Sequence, residues 1–439
     1  MARAIRLSTL PALLLHPRAG RDEIIAFQNT RLRRLITHAY ENFPYYRRLF
    51  DHNGLKPDDI RSVADLRVIP ITAKKDLQSL PAEEVVARGV DPKRLNTHTT
   101  SGFSGEPLTI RRTRLEEIVR GVLRLRTMYE LGLRFSDREA SVVLRPTRAR
   151  YNPLPLRILR AIGLYRKVRV NCLLPPDDIM RALRDFRPDV LTGFPGVLSR
   201  LAQAAGDDSC SVIRPRFVAV GGEVLTPLMR RRIAEAFAAP VFDLYMSNEF
   251  NVIAWQCKET GELHTCDDGI ILEVLKDGRP AAAGEQGEVV GTNLHSFAMP
   301  FIRYRLGDIV TRGSETCKCG RPFSTIRAVE GRMVDYFPLP DGRVFHPWKI
   351  LPILYDKARW IRQYQIVQER KDRIVLRAVP SVTPSQQQLA LLQEAVAVLL
   401  GNGVEVRVVL VPEIQMEPSG KFRVFRSLVQ PASGEGGKR

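Results

Sequence analysis

The chain has 439 residues, 44% of them hydrophobic and 26% charged, which supports two or three folded units with real cores and excludes a disordered chain. Its formal net charge is +19, and Arg outnumbers Lys 54 to 13. No apolar run reaches the ~18 residues of a membrane helix, and the N-terminal patch LSTLPALLLH is broken by proline and lacks a small-residue cleavage site, so a cytoplasmic protein with no membrane span is expected. The positive charge peaks in RRTRLEEIVRGVLRLRTMYELGLR (111–134). No zinc finger, RNA-binding aromatic signature or helix-turn-helix pattern accompanies it. Charge alone sets solubility and steering, so the peak reads as a solvated helix face whose field draws anionic small molecules, with no nucleic-acid partner expected.

The spacing of Ile24, Ile25, Phe27, Leu32, Leu35, Ile36 and Ala39 predicts an amphipathic helix that stops near Asn42-Phe43-Pro44. Residues 54–92 are short, proline-broken segments, and a helix is expected over 114–133. Strands at 141–145, 167–174, 189–194, 216–222 and 240–246 then alternate with helices at 154–164, 176–188, 195–206 and 226–237. That alternation implies βαβ units and a mostly parallel sheet, whose ligands sit beyond the carboxyl ends of the strands. VAVGGE and FDLYMSNE lie at such ends. From 270 to 312 the pattern is β-rich; after Gly331-Arg332, strands at 361–368, 372–379 and 404–411 surround a helix at 384–400. The fold class is therefore α/β: a large unit over 1–331 with parallel sheets flanked by helices and a β-rich subdomain, a small α+β unit over 332–429, and a disordered tail over 430–439.

TTSGFSGEP (99–107) combines hydroxyl residues with glycines, the composition of a phosphate-gripping loop. Glycines let backbone N–H groups converge on an anion, and Ser and Thr add donors. It is not a Walker loop, because no Gly-Lys-Ser/Thr follows. Asp243-Leu-Tyr-Met-Ser-Asn-Glu249 places at a strand end an aromatic able to stack on a base, an amide able to reach a phosphate and a carboxylate able to hold Mg²⁺. Tyr304-Arg-Leu-Gly-Asp308 puts a carboxylate on a turn, suited to ribose hydroxyls, and Glu417-Pro-Ser-Gly-Lys421 presents one lysine on a glycine turn.

In this order and spacing the chain resembles the adenylate-forming superfamily, in its phenylacetate–CoA ligase-like branch. The resemblance rests on TTSGFSGEP, GFPGVLSRLA, VGGE, YMSNE, AMPFIRYRLGD, CKCGRP, EGR and PSGK, with NFPYYRRLF and IPITAKKDL near the N-terminus. It implies that the large unit binds ATP and the acyl group and that the small one is mobile. By resemblance, Thr100, Ser101, Gly102, Ser104 and Gly105 close over the ATP phosphates. Gly222 and Glu223 line the adenine pocket, Tyr245 stacks on adenine, and Met246 and Ser247 belong to the same nucleotide-binding set. Asn248 touches the α-phosphate, Glu249 binds Mg²⁺, Asp308 holds the ribose with Arg332 assisting, and Lys421 bridges the substrate carboxylate and the α-phosphate. Two residues depart from the pattern. Phe103 replaces a hydroxyl in the first loop and removes a phosphate donor, and Val334 stands where a polar hinge residue is common.

Cys257, His264, Cys317 and Cys319 supply three thiols and one imidazole, with Cys-x-Cys-Gly as a tight knuckle. Four S/N ligands with no open position describe a structural Zn²⁺ site, which members of the resembled branch often carry. Cys266, two residues past His264, is a competing ligand; Cys172 and Cys210 read as core. The remaining histidines show no ligand or triad spacing. The reaction implied is ATP-dependent activation of a carboxylic acid to an acyl-adenylate, then transfer to coenzyme A. The alternative is a relative that passes the acyl group to an amine or hydroxyl, or an adenylyltransferase, in a polysaccharide or secondary-metabolite pathway. The acid is not named by the sequence, although its pocket is expected from the 140–150 and 193–222 regions. The oligomeric state, a homodimer among the options, stays open.

Overall fold

The computed structural model describes residues 10–99, 108–144, 164, 166–204, 213–332, 337–345, 347–417 and 422–429. The N-terminal helices are α1 (Leu10–Leu15), α2 (Arg21–Asn42) and α3 (Pro44–His52). Pro44 ends α2 as expected. It also begins α3, because proline at a first helical turn loses no hydrogen bond. Short helices α4 (Lys74–Gln78) and α5 (Ala82–Val85) interrupt the proline-broken stretch.

Strands β1 (Asn96–Thr99) and β2 (Thr109–Arg112) form a small antiparallel ladder in which Thr99 faces Thr109. The two roots of TTSGFSGEP are thus fixed side by side, while residues 100–107 lie outside the described residues. Helix α6 (Arg114–Glu130) starts at a capping box: Glu116 N–H donates to Thr113 Oγ1 at 3.2 Å, and Thr113 N–H donates to the Glu116 carboxylate at 2.6 Å.

The α/β rhythm follows as expected, with β3 (Arg138–Val143), β4 (Arg166–Asn171), α7 (Pro176–Phe186), β5 (Val190–Gly193), α8 (Pro195–Ala204), β6 (Phe217–Gly221), α9 (Pro227–Phe237) and β7 (Val241–Ser247). The helix expected at 154–164 falls almost wholly outside the described residues. A β-rich run continues through β8 (Asn251–Gln256), β9 (Leu263–Thr265), β10 (Ile270–Lys276), β11 (Arg279–Pro280), β12 (Gln286–Asn293), β13 (Tyr304–Arg312) and β14 (Thr325–Arg332). All of these strands except β1 and β2 join one 12-stranded sheet, in the order β11-β10-β12-β13-β14-β9-β8-β7-β6-β5-β3-β4. The β4-β3-β5-β6-β7 segment is parallel and the rest antiparallel, so the β-rich run is the second half of the same sheet. The change of direction happens at the tight β7–β8 turn, which needs no crossover helix.

Residues Ala140, Val142, Leu191, Val218 and Val220 of the parallel strands are buried with Leu183, Leu198, Ile233 and Phe237 of the helices. Against the other half pack Leu32, Ile36, Tyr46 and Phe50 of α2 and α3, with Ile253, Trp255, Ile270 and Phe301. The C-terminal region has its own core. It contains β15 (Phe337–Pro338), β16 (Val344–Phe345), α10 (Leu351–Lys357), β17 (Ile361–Arg370), β18 (Arg373–Pro380), α11 (Gln386–Leu400), β19 (Glu405–Leu410) and β20 (Phe425–Ser427). Its four-stranded sheet runs β19-β18-β17-β20, and Ile366, Leu376, Leu392, Val396 and Phe425 are buried there. No described helix is long and apolar enough to cross a membrane.

Candidate active site

The carboxyl ends of the parallel strands open onto a cavity of about 840 Å³. Val143 of β3, Thr192 and Gly193 of β5, Gly221 of β6 and Met246 and Ser247 of β7 line it. Two glycines make this rim possible. A Cβ on Gly221 would lie 2.5 Å from the Leu244 carbonyl oxygen, and Gly222 turns away at φ +82. A second cavity of about 620 Å³ shares Gly222, Leu244, Met246 and Asp308 with the first and adds Glu223, Asp243 and Tyr245.

Asn248 and Glu249 occupy the short loop between β7 and β8. Phe250 N–H donates to Ser247 Oγ at 3.0 Å, and Asn251 closes the turn at φ +72, a region asparagine tolerates. The Glu249 carbonyl accepts from Asn293 at 2.9 Å, and both Asn248 and Glu249 face the larger cavity. Asn248 donates to the carbonyl of Thr99 at 3.4 Å, so the root of the glycine loop meets this turn. Asp308 lies on β13 opposite Arg332 of β14, and Tyr245 O–H donates to its carboxylate at 2.6 Å. Glu223 reaches the C-terminal region: one carboxylate oxygen accepts from Phe422 N–H at 2.6 Å and the other from Gly196 N–H at 2.8 Å.

The structure therefore brings together Gly222, Glu223, Tyr245, Met246, Ser247, Asn248, Glu249 and Asp308, with the backbone of Arg332 beside them. Thr100, Ser101, Gly102, Phe103, Ser104, Gly105, Val334 and Lys421 lie outside the described residues. Within the expected acyl regions, Val143, Leu144, Gly193, Phe194 and Ala219 line the larger cavity.

Cys257, His264, Cys317 and Cys319 converge, with their ligand atoms all within 4.8 Å of one another. Cys257 follows β8, His264 lies on β9, and the two remaining thiols sit on the loop between β13 and β14, where Gly320 at φ +81 permits the knuckle. Cys317 Sγ is 3.9 Å from Cys257 Sγ, and Cys319 Sγ is 3.4 Å from His264 Nε2. These spacings suit ligands ~2.0–2.3 Å from one tetrahedral ion. Burial, helped by Arg321, lowers the His264 pKa to about 4, which keeps the imidazole neutral as a ligand must be. Cys266 is turned elsewhere: Arg126 donates to its sulfur at 3.0 Å.

Sequence reasoning missed the arginines of α6. The expected solvated face is corrected in part: Arg126 is 2% exposed, as is Arg112 just before the helix, and Arg120 and Arg124 line the larger cavity. Arg112 donates to the carbonyl of Asn248. The usable signal was Arg at 120 and 124, i and i+4, on the helix that follows the glycine loop. The roots β1 and β2 were also missed, being only four residues each and polar at every position but Ile110.

Residues 340–427 match the family model of the CapK C-terminal domain. The phenylacetate–coenzyme A ligase of Escherichia coli (strain K12) is 31% identical over 362 residues, covering 74% of this chain and 75% of that protein. The enzyme of the same name from Thermus thermophilus is 26% identical, covering 80% of this chain and 79% of that protein. A 2-hydroxyisobutyryl-CoA ligase, in the postadenylation state in complex with R3-HIB-AMP, shares the fold at a TM-score of 0.77 and 22% identity, over 93% of this chain and 90% of that one. Strand-end cavity, Tyr245–Asp308 pair and a likeness over 74% of the chain agree: the chain belongs to the phenylacetate–CoA ligase family of adenylate-forming ligases.

Proposed function

We propose that the chain joins a carboxylic acid to AMP at the expense of ATP, releases pyrophosphate, and then transfers the acyl group to the thiol of coenzyme A. The observation that carries this reading is the meeting of Tyr245, Asp308, Asn248, Glu249 and the root of the glycine loop around two joined cavities.

In the first step a carboxylate oxygen of the acid attacks the α-phosphorus, and the bond to the bridging oxygen of pyrophosphate breaks. Tyr245 offers its ring to adenine while its hydroxyl holds the Asp308 carboxylate toward the ribose hydroxyls. Arg332, opposite Asp308 in the ladder, assists there. Asn248 reaches the α-phosphate, and Thr100, Ser101, Gly102, Ser104 and Gly105 grip the outer phosphates by backbone and hydroxyl donors. Mg²⁺ on Glu249 would supply Lewis-acid stabilisation of phosphate charge. Lys421 bridges carboxylate and α-phosphate, where a preorganised cation stabilises the charge that develops. Zn²⁺ held by Cys257, His264, Cys317 and Cys319 would be structural, since the four donors leave no open position.

The small unit over 332–429 then turns about 332–335, withdraws Lys421 and opens the site to the thiol, which attacks the acyl carbon and expels AMP. In the arrangement described, Phe422 next to Lys421 is held by Glu223, consistent with the adenylation setting. A panel of carboxylic acids assayed for pyrophosphate release tests the reading, with wild type and Lys421→Ala. The variant is expected to lose ~100-fold or more in adenylation, while thioester formation from a supplied acyl-adenylate largely survives. Equal loss in both half-reactions would remove Lys421 from its assigned role. Absence of thioester with purified coenzyme A, while pyrophosphate is still released, would point to an amine or hydroxyl acceptor.

A further inference from the structure

Arg120 and Arg124 lie one turn apart on α6 and both line the larger cavity. Arg120 is mostly buried, and among the described residues its Nη1 meets no hydrogen-bond partner. Its nearest carboxylate is Glu117, with Nε 4.0 Å from the oxygen, and that carboxylate is already engaged by His98 at 2.9 Å and by Arg112. A buried guanidinium with open donors is costly unless an anion meets it. Burial, with Arg112 repelling it, lowers the Arg120 pKa to about 9, and the Glu117 and Glu249 carboxylates only partly oppose this. Arg124 extends the positive field toward β3 and β4, where Glu139 and Lys167 feel it and pair with each other at 2.5 Å. Thr192 and Asn251 add polar groups to the same wall, and Asn251 braces α6 by donating to the Arg120 carbonyl at 3.0 Å.

We propose that Arg120 and Arg124 bind a second oxyanion carried by the substrate acid itself, so that the chain selects acids with an anionic tail over acids with an apolar one. This rests on the ligase reading and narrows its substrate class. Paired guanidinium forks suit a planar carboxylate or a phosphate-type group. On the ligase reading Glu249 and the loop root mark the phosphate end of the cavity, and Arg124 acts on Glu139 of β3, whose strand end lines the far wall.

The test compares phenylacetate, 4-carboxyphenylacetate, adipate and 4-phosphonobutyrate with the full-length protein, by pyrophosphate release and by calorimetric binding. Wild type is expected to prefer at least one doubly charged acid over phenylacetate by about 10-fold or more in kcat/KM, as sites with buried polar groups reject analogues that leave them unmet. The carboxylate and phosphonate arms identify the oxyanion. The double variant Arg120→Gln/Arg124→Gln is expected to raise KM for that acid about 10-fold while KM for ATP changes less than about twofold. Preference for phenylacetate, or a KM for ATP that rises in step with that for the acid, overturns the proposal and leaves the ligase reading standing. Binding needs no turnover, so a doubly charged acid bound by wild type and lost in the double variant supports the site even if no pyrophosphate appears, the outcome that would overturn the ligase reading instead. Equal binding of all four acids overturns the proposal on wild type alone.

Discussion

Asp268 and Asp308 are both carboxylates that the fold draws inward, yet their surroundings differ. Asp268 is fully buried, and Arg126 and His16 both close on one of its oxygens, the latter at 2.8 Å. The two terminal nitrogens of Arg126 are also answered by the Leu13 carbonyl at 3.1 Å and by the Cys266 sulfur, and the guanidinium sits against the rings of Trp255 and Phe323. Asp308 instead faces two cavities, with the Tyr245 hydroxyl donating to it, and Arg120, whose Nη1 meets no partner among the described residues, lines the larger of them. Where the protein answers its own polar groups, they hold the fold. Where they border a cavity, a ligand can reach them.

The sharpest way to break that contrast is Asp268→Asn. It removes the counter-charge of a buried arginine, so a loss of about 3–5 kcal/mol is expected from the denaturant midpoint. Burial alone would raise the Asp268 pKa, but Arg126 and His16 hold it well below the ordinary carboxylate range. Its stabilisation is therefore present above the unfolded pKa near 4 and is lost as pH falls below it. A loss under ~1 kcal/mol would mean that this cluster behaves like a surface pair. Next comes Cys317→Ser. It should abolish bound zinc, read by metal analysis, and cost on the order of 3 kcal/mol, while the folded fraction keeps its turnover with acid and ATP. Lost turnover with zinc retained would move the cluster from the closed class to the open one.

How much of this was legible depended on how local the cause was. The parallel strands and their helices follow from short-range periodicity, and Gly221 and Gly222 announce the strand-end turn by composition. The knuckle Cys317–Cys319 was readable because two ligands sit within three residues, and Cys257 and His264 flank one hairpin. Cys266 was ambiguous for the opposite reason: only the fold shows that it turns to Arg126, 140 positions away. Strands β8 and β9 were missed because the apolar centre VIAW of β8 is buried without alternation to mark it, and β9 is only three residues. The role of α6 was misread because an Arg-rich helix looks solvated until a cavity is placed beside it.

On the open side, Asp308→Asn tests the ribose contact. It is expected to raise KM for ATP about 10-fold, near the 1.4 kcal/mol of one charge-assisted hydrogen bond, with thermal stability within about 0.5 kcal/mol of wild type. A change in stability larger than the change in KM would place Asp308 with Asp268.

The smallest expected effect concerns Asp243, on the wall of the second cavity beside Tyr245. Burial pushes its carboxyl from 3.8 up to about 6, with Arg230 opposing. The sign is opposite to that of Asp268. Between pH 4 and 6 the folded state holds the proton that the unfolded chain has released, so this group's contribution to stability falls as pH rises through that window. Asp243→Asn should remove the slope and leave the variant more stable than wild type above pH 6 by on the order of 1 kcal/mol, since the cavity admits water and softens the full 1.36 kcal/mol per unit. Thermal unfolding of the pair at pH 4, 5, 6 and 7 reads it directly. A difference that stays flat would show that solvent or Arg230 already satisfies Asp243; a difference that grows and then collapses on adding ATP would show that the nucleotide reaches this carboxyl.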